Sequence, residues 1–361
     1  MVSAVSRHHH TFLATALASQ REKRLAAAIA GVVLAAFLAL LPFVRVPLTP
    51  WPAFIPAYEA ALFLMDLITA VLLFDQFFYL RAFSVLLLGS AYLFDALMIV
   101  PHALTFPGAF TTTGLLGAKA QTTAWLYVFW HGGFPLFVIG YSVLRNLEED
   151  SPRWAISRPG RGIATACAGV ALLAVALTLL ATRAHDWLPV VMQGSDYSLL
   201  VTKGISPAVL ALTLVGLLTL WRSKQRVIDL WLMVVMWVWL FDIALASVIG
   251  STRFDLGFYA GRIFGLIAAS FLLVTLLIEM ARLHARAIGA VASAEARLAQ
   301  MAGIRHRPEP PPARGESTDD FIHRQNLARY RSLLESDSLD EAQRRSIEKL
   351  IEDEETKQSE H

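Results

Sequence analysis

Eight stretches of the chain stay apolar for close to twenty residues each: 25–44, 57–78, 82–101, 122–144, 162–182, 204–221, 228–250 and 259–281. Short segments richer in Gly, Pro and charge separate them. An α-helix rises 1.5 Å per residue, so roughly 20 residues cross the hydrocarbon layer of a bilayer. No water reaches backbone groups there, and a helix satisfies them all within one segment. The pattern predicts an all-α, polytopic transmembrane helical bundle of about eight spans at 25–281, preceded by a cytoplasmic N-terminal segment at 1–24. Beyond the last span, Leu283, Ala287, Ala290, Ala294, Leu298 and Met301 recur at spacings of three and four, which predicts a cytoplasmic connecting helix over 282–302. Pro308 and Pro310, Pro311 and Pro312 then make 303–316 a Pro-rich linker. Residues 319–334 and 338–357 read as two short helices, a helical hairpin tail within 317–361, with Ser338 and Glu341 as a capping box. So short a hairpin buries little core, and a partner, a second copy or the membrane surface is expected to complete it.

Composition agrees with a membrane solvent. Hydrophobic residues make up 56% of the 361 and charged ones 17%, too few to coat a water-soluble globule. The net charge of +2 is segregated into clusters between apolar runs, which argues against nucleic acid as a partner. The single cysteine, Cys167, excludes a disulfide framework and a cysteine-rich metal site. The apolar piece at 11–17 is too short for a signal-peptide core and reads as a lead-in to the first span. One set of loops holds most of the Lys and Arg, while the other holds only Arg45, Lys119, Arg183, Lys203 and Arg253. Positive charge stays on the cytoplasmic side, so both termini are expected there. The two longest links then face outward. One begins Pro101-His102 and runs through Gly108, Gly114 and Gly117, a stretch expected to form turns rather than helix; the other spans 183–203. Trp51, Trp125 and Trp187 fall near the outer interface, where they read as membrane anchors.

Ionisable residues inside a bilayer are expensive and mark either a functional site or an internal pair. Asp66, Asp95, His131 and Asp242 lie at similar depths in four different spans, roughly 10 to 14 Å below the outer surface by helical rise. A shared acidic ligand pocket with His102 at its mouth is one reading; separate pairs acting as polar glue between helices is the other. A metal or haem is a candidate cofactor, with His102 and His131 as the candidate ligands, although no metal-ligand spacing is present. In the last span Gly257, Gly261 and Gly265 repeat every four residues, a ridge for close helix packing within the chain or in a homodimer.

Several motifs carry a resemblance. Phe54-Ile55-Pro56, the stretch Asp66 to Phe74 with Gln76, the segment Pro101-His102 to Pro107-Gly108, and Trp125 to Trp130-His131 with Phe134-Pro135 resemble the fourth class of bacterial membrane-associated sensor (MASE-type) domains. The resemblance covers about residues 20–285. It implies a sensory or regulatory protein of the bacterial inner membrane whose last span and tail hand a signal to a separate cytoplasmic signalling partner. The output signatures usual after such domains, Gly-Gly-Asp/Glu-Glu-Phe, Glu-Ala-Leu and the glycine-rich boxes of a kinase, do not occur, so no enzymatic activity is expected. A small transporter or channel using the Asp/His cluster is the alternative, without the internal repeat that transporters often show. A membrane enzyme is the weaker one, because no nucleophile–base or zinc motif appears.

Overall fold

The computed structural model describes residues 16–51, 53–150, 158–223, 225–250, 252–301, 324–328, 330, 331, 334 and 341–359. The chain divides into two compact units, Met1–Met280 and Ala281–His361. In the first, helices α1 (Gln20–Leu40), α2 (Phe54–Leu80), α3 (Phe83–Thr105), α4 (Thr122–Asp150), α5 (Pro159–Thr182), α6 (Ile205–Trp221) and α7 (Val227–Ile243) follow one another, and α8 (Leu256–Met301) begins there. This is an all-α polytopic membrane bundle. Among the described residues seven helices are long and apolar enough to cross a bilayer; α6, where the sequence predicts the sixth span, has only 17 residues. Its length of roughly 26 Å falls a little short of the ~30 Å hydrocarbon layer.

Local sequence explains the boundaries. Ser19 caps α1: its Oγ accepts from the Glu22 N–H at 3.3 Å, while Glu22 accepts the Ser19 N–H at 2.7 Å. Arg81 closes α2 in the left-handed region at φ 56°, so α3 starts two residues later in a tight reversal. Asp229 caps α7 by accepting the Arg226 N–H at 2.8 Å. Pro101 departs from expectation, since α3 continues through it and His102 to Thr105. A proline frees only the carbonyl four residues back, here that of Leu97, and a tightly packed membrane helix tolerates it; one turn on, the Thr105 hydroxyl donates to the Pro101 carbonyl at 2.7 Å. The expected turns begin only at Phe106, with Gly108, Gly114 and Gly117 all at positive φ.

Burial sorts the helices. In α3 and in the stretch Val227–Ile249, 72% of the apolar window is buried, against 11% in α1 and α5, which lie at the periphery. α3 packs against α2, α4 and α5; α6 bridges α4 and α7; α1 lies on α7. Side chains such as Val32, Leu64, Val71, Leu172 and Val175 are exposed, as expected of surfaces that face lipid. After α7 the chain makes a π-helical turn, Ala244–Ile249, closed by the Gly250 N–H donating to the Leu245 carbonyl at 3.1 Å.

α8 runs for 46 residues, from the last span on to Met301. In the second unit, α9 (Glu341–Ser359) is helical, and Arg331 donates to Glu355 at 2.7 Å, tying helical residues near 331 to α9. The Pro-rich linker and the Ser338 cap lie outside the described residues.

Candidate functional site

The ionisable residues singled out from sequence fall into three adjoining groups. In the first, His131 of α4 meets Asp242 of α7, Nε2 to Oδ2 at 3.3 Å, and its Nδ1 lies 3.0 Å from the Tyr127 carbonyl. A carbonyl only accepts, so Nδ1 carries a hydrogen. The contact with Asp242 then needs one further proton, on imidazole or carboxyl, and the pair is neutral overall. Asp242 rests against the backbone of α8. A Cβ at Gly261 would stand 2.8 Å from its Oδ1, and one at Gly265 would stand 3.3 Å from its Oδ2 and 3.0 Å from the Tyr58 hydroxyl. The third glycine of the ridge, Gly257, faces Val44 and the Leu245 carbonyl. Gly257 and Gly261 thus meet groups of the same chain at distances no other residue permits, and at Gly265 a side chain would require Tyr58 or Asp242 to give way.

In the second group, His102 Nδ1 lies 2.6 Å from Oε1 of Glu59, one turn into α2, with both side chains buried. The third places Asp66 of α2 near Asp95 of α3, with Tyr92 beside both. The Trp130 indole N–H neighbours Asp95, yet neither Asp95 Oδ1 nor Trp130 Nε1 makes a hydrogen bond of normal length. Aromatic rings join the groups: Trp130 lies 5.7 Å from His102 and 4.5 Å from His131, centroid to centroid. Tyr58 stands within electrostatic reach of Asp242, Glu59 and Arg262.

The cavity lies elsewhere than the acidic cluster. Of the five candidate ligand residues only His102 lines it, together with Phe106, Tyr127, Tyr197, Ser247, Phe258 and two arginines, Arg253 and Arg262. Its volume is about 390 Å³ counted out to its open mouth. Loops close over this end of the bundle through backbone pairing: Leu48 N–H to Phe254 carbonyl at 2.9 Å, Leu256 N–H to Val46 carbonyl at 2.9 Å, and Arg253 N–H to Ser195 carbonyl at 3.0 Å. Gln121 pins the 183–204 link, accepting from the Val191 and Met192 N–H groups at 2.7 Å and donating to the Met192 carbonyl at 2.9 Å. Trp125, expected as a membrane anchor, is buried and donates to the Pro189 carbonyl at 2.9 Å. Trp51 and Trp187 are exposed.

Arg262 is 7% exposed. It donates to the Phe258 carbonyl at 2.8 Å, and its guanidinium lies 3.6 Å over the Phe258 ring. Arg253 stacks at 4.9 Å on Phe106 and donates to Met192 Sδ at 3.4 Å. Burial, and then the charge of Arg262, hold the Arg253 guanidinium down at about 10. Burial, and then Asp255, push the Tyr197 phenol up, so it stays protonated and donates to the Thr252 carbonyl at 3.1 Å.

The two histidines do not together offer a ligand pair for a metal or haem: both ring nitrogens of His131 are engaged, whereas Glu59 holds Nδ1 of His102 and leaves its Nε2 open. Among the described residues no three His, Cys, Asp or Glu converge as a metal set. Sequence reasoning passed over Glu59, Asp229 and Arg262, each inside an apolar stretch, and counted Arg145 among the loop charges. Arg145 instead lies buried at the end of α4, paired with Asp229, which also accepts from the Tyr141 hydroxyl at 2.6 Å. An arginine within a span was itself a signal.

The family model MASE4, described as a membrane-associated sensor, integral membrane domain, matches residues 49–284. Neither a curated protein nor a solved structure matches the chain.

Proposed function

Because the chain belongs to the MASE4 family of membrane-associated sensor, integral membrane domains, we propose that it detects a stimulus at the outer side of the bacterial inner membrane. It relays the change through α8 and the C-terminal tail to a separate cytoplasmic partner, and it does so without catalysis of its own. Charge supports the orientation: the loops that close over the cavity are poor in Lys and Arg, and the opposite ends of the helices are rich in them.

One observation carries the relay. α8 contributes Phe258 and Arg262 to the cavity, lies against Asp242 through Gly261 and Gly265, and then continues to Met301. At 1.5 Å per residue its length is roughly 69 Å, about twice the ~30 Å hydrocarbon layer. Input and output therefore share a single helix. A stimulus shifts such an element only by binding its two positions with different affinity. The close contact of Gly261 with Asp242 and Ala246 favours a small number of discrete settings, since packed interfaces are bistable rather than freely deformable.

Two measurements test the reading on the full chain in lipid nanodiscs and cells. A cysteine at Trp187 is expected to react with an impermeant maleimide in intact cells, whereas one at Ile288 should react only after permeabilisation. Spin labels at Trp221 and Val291 should report a changed distance when Asp242→Asn alters the α7–α8 contact. An unchanged distance removes the relay, and labelling of Ile288→Cys from outside removes the orientation.

A further inference from the structure

The fold handles its buried arginines in two different ways. Arg145 is neutralised by the carboxylate of Asp229. Arg253 and Arg262 are not: among the described residues no carboxylate stands within 4.0 Å of either guanidinium. The nearby acids are committed elsewhere. Asp242 faces His131, Glu59 faces His102, and Asp255 accepts from the Phe258 N–H at 2.7 Å and the Thr252 N–H at 3.3 Å. Stacking on Phe106 and Phe258 offsets part of the cost of two desolvated cations. It supplies no counter-charge, and both side chains line one cavity. An arginine remains charged at neutral pH, and among the described residues no carboxylate contact neutralises either one, which leaves both cations open to an anionic ligand.

We propose that this cavity binds a small organic oxyanion, a carboxylate or a phosphate ester, held by Arg253 and Arg262 with its apolar part against Phe106 and Phe258. The guanidinium fork matches the paired oxygens of both groups. The Tyr127 hydroxyl, which neighbours Ser247 yet makes no hydrogen bond of normal length, supplies a further donor. His102 adds the ring edge not used by Glu59. The enclosed part of the cavity, about 40 Å³, admits a small oxyanionic group and not a peptide. The proposal deepens the sensor reading by naming the class of stimulus, and the binding step stands apart from the relay.

The test titrates the full chain in phosphatidylcholine nanodiscs with benzoate, inorganic phosphate and the uncharged benzamide, at ionic strength fixed with chloride, following thermal stability and binding heat. Benzoate or phosphate is expected to stabilise the wild type, and benzamide and chloride are not. Arg253→Gln should weaken the oxyanion by about ten- to hundredfold, the range for a lost charge-assisted hydrogen bond. Arg45→Gln, at the same end of the bundle but outside the cavity, should leave it unchanged. Arg262→Gln should behave like Arg253→Gln; if that variant does not fold, the half-buried Arg253 decides alone. No oxyanion effect beyond chloride, or an equal effect in Arg253→Gln, overturns the proposal. Repeating the titration in phosphatidylglycerol discs separates the sources: a weakened phosphate response assigns the oxyanion to a lipid headgroup, and an unchanged one assigns it to a soluble ligand. Binding without movement of the Trp221–Val291 label pair keeps the site and removes the relay; movement in Asp242→Asn without any binding does the reverse.

Discussion

Removing the Asp229 carboxylate strands the Arg145 guanidinium, for which no other carboxylate stands within 4.0 Å among the described residues. The Arg145 side chain is 1% exposed and that of Asp229 0%, so water cannot replace the lost partner. Asp229 also accepts the Tyr141 hydroxyl and the Arg226 N–H, and these donors lose their anion as well. Breaking a buried pair from one side costs about 3–5 kcal/mol, because the surviving charge stays desolvated. Asp229→Asn preserves volume and one acceptor, which places it toward the lower end of that range. Arg145→Met is expected to cost less, since Tyr141 and the Arg226 N–H still satisfy the carboxylate. The double variant Asp229→Asn with Arg145→Met removes both charges and should recover most of the loss, giving a coupling of a few kcal/mol that far exceeds that of exposed pairs. Nine tryptophans provide a fluorescence signal for unfolding in mixed detergent micelles, and the cycle is read from the midpoints. If Asp229→Asn lies within about 1 kcal/mol of wild type, or if the double variant loses the sum of the singles, the charge pair is not what holds α4 to α7.

Further perturbations are equally specific. Gly261→Ala puts a methyl 2.7 Å from the Ala246 Cβ and should lose roughly 1–3 kcal/mol of unfolding stability. Gly31→Ala, with nothing within 4 Å, should gain up to about 1 kcal/mol in the same assay. Gln121→Ala frees three hydrogen bonds to residues 191 and 192, so amide exchange there should accelerate while the global midpoint stays nearly unchanged. Arg253, held down at about 10, binds its proton more weakly in the folded state than in the unfolded one. Its contribution to stability therefore rises with pH above about 10 and is constant and unfavourable below. Without an oxyanion, Arg253→Gln should be at least as stable as wild type at pH 8 and should lack the rising limb, which stability measured against pH will show.

Hydrophobic length alone located the helices, because lipid imposes the same demand on every span. The apolar runs at 57–78 and 228–250 lie within or across observed helices. What the sequence could not supply was azimuth. Depth along a span follows from counting residues, and it correctly put Asp242 near the level of His131. Which side of the helix each faces depends on packing, so Asp66 and Asp95 adjoin each other while His131 takes Asp242. Window averages also hide single charges: Glu59, Asp229 and Arg262 vanish among apolar neighbours although each is buried and engaged. Pro101 misled for a related reason, because a proline frees only the carbonyl four residues back, and a helix packed on several sides can run on past it. The arginine-lined cavity required loops distant in sequence to meet, and no local pattern announces that.

The wide turn after α7 decides what that helix presents to its neighbours. In an α-helix, residues five apart stand about 140° from one another around the axis. Ser247, on the cavity wall, is five residues beyond Asp242, which rests on α8. A turn closed by bonds five residues apart draws such positions toward one side. The proton-sharing pair and the cavity wall are thereby brought to the same face by winding rather than by side-chain choice. A chain one residue shorter within Ala244–Ile249 would keep every group that matters and aim it the wrong way, so spacing here is as much a part of the site as chemistry.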